Sequence, residues 1–95
     1  MTRSECENIL AFGAFTNTGH IDEVEFSIMQ GEAFADSKNN VTYAKYLAFL
    51  PDDDAPVQTY CNTVDELLQT FIIDGKPFGE LLDKVTDFAP VAYGF

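Results

Sequence analysis

The seven residues from Glu23 to Met29 constrain this chain most. Val24, Phe26 and Ile28 fall on one side of an extended segment and Glu23, Glu25 and Ser27 on the other. A period of two is that of a strand with one face buried and one face wet. An antiparallel sheet is therefore expected. Val41 to Leu50 reads as a second strand, with Val41, Tyr43, Leu47 and Phe49 on one face, interrupted by Lys45, and Thr42, Ala44, Tyr46 and Ala48 opposite. Pro51 cannot donate to a ladder, and Asp52-Asp53-Asp54-Ala55-Pro56 is a charged turn, so this strand ends there in an exposed loop. Val57 to Cys61 is a short extended piece that adds a further strand.

Thr63 with Glu66 three residues on has the spacing of a capping box and opens a helix whose apolar positions are Val64, Leu67, Leu68, Phe71 and Ile72. Asp74-Gly75 breaks it. Pro77 at a first-turn position predicts a second helix with Phe78, Leu81, Leu82 and Val85 inward, ended by Ala89-Pro90. The tail from Val91 to Phe95 fits a last strand or a packed end equally. Two readings compete for Asn8 to Phe15. Ser4 and Glu7 have capping-box spacing for a short helix, whereas Thr16-Asn17-Thr18-Gly19 reads as a turn that makes a hairpin of the flanking segments. The hairpin is preferred. The expected fold is α+β in two layers, an antiparallel sheet of three to four strands packed on one face by two C-terminal helices, with the other face open.

Residues 1–95 form one domain in this reading, since 95 residues with 46% hydrophobic content, nine Phe and four Tyr supply a single core without a staple. Sixteen acids against five bases give a net charge of −11. A field of that sign repels nucleic acid and anionic membranes and draws basic partners. Cys6 and Cys61 are too few for a disulfide scaffold, and no apolar run has the length of a signal peptide or a membrane span, so a reducing cytoplasm is expected. The sequon Asn40-Val41-Thr42 carries no weight without a secretory signal.

Motifs for chemistry are sparse. His20, the one histidine, sits by Asp22 and Glu23, and a pairing with Cys6 or Cys61 is the one thiolate site the composition allows. Three consecutive Asp at 52–54 lack the alternation, central Gly and terminal Glu of a calcium loop, and Gly75-Lys76-Pro77 lacks the spacing of a phosphate loop. No enzyme activity, cofactor or metal is expected. The reading is of a non-catalytic module that binds a basic protein through Asp22, Glu23, Glu25, Glu32, Asp36, Asp52, Asp53 and Asp54. In its sharpest form it is an inhibitor that mimics nucleic acid, as small acidic proteins of phages and mobile elements do when they disarm host nucleases, a likeness of charge and size. Two residues on one strand face stand about 6.6 Å apart, against one charge per about 1.7 Å in duplex DNA. Mimicry therefore needs acids pooled from several elements. The alternatives are an interaction or structural module whose acidity serves solubility or a high-salt cytoplasm, and a small metal- or His/Cys-dependent enzyme.

Overall fold

Helix α1, Arg3–Phe12, occupies the segment for which a hairpin was preferred. The computed structural model describes residues 1–12, 15–52 and 58–91. A reciprocal cap explains why the helix wins: the Glu5 amide donates to Thr2 Oγ1 at 3.1 Å and the Thr2 amide donates to Glu5 Oε1 at 3.1 Å. The box is two residues earlier than the Ser4–Glu7 spacing suggested. Cys6 and Leu10, four apart, then bury on one side of the helix, while Arg3 pairs with Glu7 along its surface at 2.8 Å.

Thr16-Asn17-Thr18-Gly19, expected as a turn, belongs to strand β1, Thr16–Ile21, which pairs antiparallel with β2, Val24–Gln30. The turn is Asp22-Glu23, with Asp22 at φ 54 in the left-handed region that Asp tolerates. Gly19 serves packing instead: a Cβ there would stand 2.9 Å from Phe26 Cζ and 3.0 Å from Phe88 Cα. The segment from Val41 to Leu50 is two strands and not one. A small arm, β3 at Phe34–Ala35 and β4 at Val41–Thr42, precedes β5 at Tyr46–Phe49, and the break between them falls at the interrupting Lys45. Tyr43 is 79% exposed at that break. Strand β6, Thr59–Cys61, pairs with β5, and Val57 of the expected strand lies outside the described residues.

Helix α2, Val64–Thr70, is capped as its sequence predicts, the Glu66 amide donating to Thr63 Oγ1 at 3.1 Å. It is followed by a two-residue hairpin of β7, Ile72–Ile73, and β8, Lys76–Pro77, whose tip Asp74-Gly75 has φ of 53 and 77. No second long helix forms. Two 3₁₀ turns, Phe78–Glu80 and Leu82–Lys84, lead into β9, Val85–Pro90, which pairs with β1. Phe78, Leu81, Leu82, Val85 and Phe88 are all buried, and a spacing of three suits 3₁₀ turns as well as a helical stripe. Pairing with β1 then draws residues 85–90 into extended form, with a register shift opposite Gly19 where Asp87 takes φ 58.

The result is an α+β domain on a five-stranded antiparallel sheet in the order β6-β5-β2-β1-β9. Of the expected pair of C-terminal helices the first forms as α2 and the second is replaced by 3₁₀ turns and β9, while α1 adds a helix at the N-terminus. Phe26 anchors the core, its ring 5.1 Å from Phe78, 5.2 Å from Phe88 and 6.4 Å from Phe71. The opposite sheet face is not open throughout. Phe34 and Ala44 pack on Leu47, flanked by Met29, Phe49 and Tyr60.

Candidate functional site

The tight β1–β2 turn projects Asp22 and Glu23 from one end of the sheet, and the next outward position on β2 is Glu25, half-buried beside its cross-strand partner His20. The chain leaving β5 brings Asp52 to the same end. Glu23, Glu25 and Asp52 rim a cleft of about 270 Å³ whose apolar lining is Val24 and Leu50. Val24 is 39% exposed, which is unusual for an alternating strand's apolar face. A second cleft of about 430 Å³ shares Glu23 and Val24 and runs between the β1–β2 turn and the Asp74-Gly75 tip. Its floor is Ile21, Ile73 and Leu81, and its charges are Asp22, Glu23 and Asp74 with Lys76 and Lys84.

Four of the eight expected acids therefore meet. Glu32 lies beyond the far end of β2, about 20 Å along the strand from Val24, beside Tyr43, Lys45 and Asn62. Asp36 folds the arm. Its Oδ1 accepts the amides of Lys38 at 2.8 Å and Asn40 at 3.0 Å, and these bonds hold its carboxyl below the usual carboxylate range. Asp53 and Asp54 lie outside the described residues. Two further acids have structural bonds: Asp65 pairs with Arg3, and Glu66 accepts the Asn62 amide at 3.5 Å. Arg3 makes both ion pairs found among the described residues.

No family model, curated protein or solved structure matches this chain.

The thiolate pairing considered from composition does not assemble. Cys61 shares the core face with Tyr46 and Cys6 packs into the same core, whereas His20 stands with Glu25 on the other side of the sheet. Burial pushes both thiols up to about 11, with Glu7 adding to the effect at Cys6 and Glu66 at Cys61. His20 Nδ1 is buried and has no hydrogen-bond partner. Among the described residues no three His, Cys, Asp or Glu side chains form a group able to hold a metal ion, and no helix is long and apolar enough to cross a membrane.

Leu50, Asp74, Lys76 and Lys84 are the members of this end that sequence reasoning missed. Asp74-Gly75 signals a turn, but its approach to the β1–β2 tip depends on α2 folding back across the sheet, which no local pattern encodes.

Proposed function

We propose that this domain is a non-catalytic protein-binding module that docks a basic partner at the end of the sheet marked by the β1–β2 turn, and that it acts as an inhibitor by occupying the groove in which that partner holds nucleic acid. The observation that carries the reading is the meeting of Glu23 and Glu25, at the start of β2, with Asp52, from the chain leaving β5, around an apolar floor that no basic residue lines among the described residues. A charged rim around an apolar centre is the plan of a protein interface. Opposite unit charges about 4 Å apart attract by roughly 1 kcal/mol in water and roughly 4 kcal/mol in a surface environment of lower dielectric, so three carboxylates reward a cation that displaces water from the cleft.

Asp36, Asp65 and Glu66 are bonded within the fold, and the acids that meet at this end, Asp22, Glu23, Glu25 and Asp52, make a compact patch and not an array of duplex length. The partner is therefore engaged through a local basic element. Exposed Glu80, Asp83 and Asp87, remote in sequence from that patch, favour a second reading in which acidity serves solubility alone. Affinity capture from the native host at two salt concentrations separates the two. A captured nucleic-acid-binding protein whose affinity falls steeply with salt, and which nucleic acid displaces, is expected, since exposed charges are screened over about 8 Å at physiological ionic strength. Binding that is indifferent to salt sinks the proposal.

A further inference from the structure

The ladder register shows why a cleft exists beside Glu25. In an antiparallel pair, residues of one strand direct their main-chain groups alternately to one neighbour and the other. The Gln30 amide donates to Phe15 O at 2.9 Å, so even-numbered residues of β2 face β1, and the Gly31 amide donates to Lys45 O at 3.0 Å, so odd-numbered residues face β5. Met29 thus opposes Leu47 and Ser27 opposes Phe49. Two residues further, Glu25 would oppose Pro51. Proline has no amide hydrogen, the β2–β5 pairing stops at Ser27 and Phe49, and the chain turns at Pro51-Asp52. Strand β2 outruns β5, and among the described residues no main-chain hydrogen bond reaches the Glu25 N–H and C=O on that side. The cleft of about 270 Å³ lies at this notch.

We infer that the notch receives an extended segment of the partner, which adds as a short strand opposite Glu25 and carries a basic residue flanked by aliphatic ones. This rests on the protein-binding reading above and names its docking mode. Strand addition satisfies the two open main-chain groups of Glu25, a donor and an acceptor, which a basic side chain, a donor alone, does not match. Period two fixes the partner's pattern: the residue opposite Glu25 puts its side chain on the Glu25 face, where a cation meets Glu25, and its neighbours turn to the other face, toward Val24 and Leu50. The two outer edges of the five-stranded sheet are less suited, since β6 has three residues and β9 is interrupted at Asp87 and ends at Pro90.

Amide exchange and titration of the full labelled chain test this. In the free protein the Glu25 amide exchanges at least tenfold faster than those of Ser27 and Met29; equal protection overturns the inference. A capped peptide with a Val-Arg-Val centre is expected to shift the amides of Val24, Glu25 and Phe26 and to slow Glu25 exchange at least tenfold. The same peptide methylated on its Arg amide keeps its charge but loses the main-chain donor, and its affinity falls at least tenfold. Equal binding of the methylated peptide, with equal salt dependence, defeats strand addition while leaving the charge-driven reading intact. Pro51→Val retains every carboxylate and supplies a donor to the Glu25 carbonyl, so that residue 51 continues β5 and its own carbonyl accepts the Glu25 amide; this variant is expected to protect the Glu25 amide and abolish peptide binding. Unchanged affinity in that variant overturns the notch as the docking site.

Discussion

Gly19→Ala tests the core arrangement most directly. A methyl group at this position would meet the Phe26 ring at 2.9 Å and the Phe88 Cα at 3.0 Å, inside any ordinary carbon contact. Neither neighbour can withdraw easily. Phe26 is held among Phe71, Phe78 and Phe88, and Phe88 Cα is main chain of a paired strand. Overpacking of this kind costs about 1–3 kcal/mol, while the loss of glycine's freedom in the unfolded chain returns about 0.4–1 kcal/mol. The net is a destabilisation of about 1–2 kcal/mol, or a fall in Tm of roughly 5–15 °C for a domain of this size. Urea unfolding followed by circular dichroism measures it. In a Phe26→Leu background the penalty should shrink by about half, because the shorter side chain frees one of the two contacts and the residues couple directly. A Gly19→Ala protein as stable as the parent refutes the packing explanation.

Thr63→Ala removes the acceptor of the Glu66 amide and should lower unfolding stability by about 1 kcal/mol, with Thr63→Ser close to neutral in the same denaturant titration. Asp36 has a depressed carboxyl pKa, so its bonds to the Lys38 and Asn40 amides are complete above the ordinary value of about 3.9 and are lost as pH falls through the lower folded value. The chemical shifts of those two amides should therefore titrate with a midpoint below about 3.9, and Asp36→Asn should flatten the curve. With both thiols raised to about 11, Cys6 and Cys61 should react with a disulfide reagent at pH 8 roughly a hundredfold more slowly in the folded protein than in urea. Labelling at the rate of a free thiol would show that neither is buried.

Local chemistry was legible wherever it was decided locally. The alternation of Val24, Phe26 and Ile28, the Thr63–Glu66 box and the break at Asp74-Gly75 each depend on residues within one turn or one strand. What misled was ambiguity that only tertiary pairing resolves. Gly19 next to three small polar residues has the composition of a turn, yet its lack of a side chain is spent on Phe26 and Phe88, residues 7 and 69 positions away. The stripe Phe78, Leu81, Leu82, Val85 satisfies both a helix and successive 3₁₀ turns, and the decision falls to β1, which offers an edge to residues 85–90. At the N-terminal helix, Thr2 and Glu5 were the readable signal, passed over for a second box of the same form two residues on.

The acids divide on the same principle. Glu5, Asp36, Asp65 and Glu66 bond to main chain or to Arg3, so their carboxylates are consumed in capping a helix, folding the arm and tying α1 to α2. Among the described residues Asp22, Glu23, Glu25 and Asp52 have no such bond, and their convergence is set by register: in each of the four β2–β5 pairs the two residue numbers sum to the same value, which puts Pro51 opposite Glu25. Pro51 was legible as a strand end from sequence, whereas its position opposite Glu25 required the pairing. Neutralising the first group should therefore weaken folding and leave the notch chemistry intact. Neutralising the second should leave the fold and remove the attraction for a basic segment.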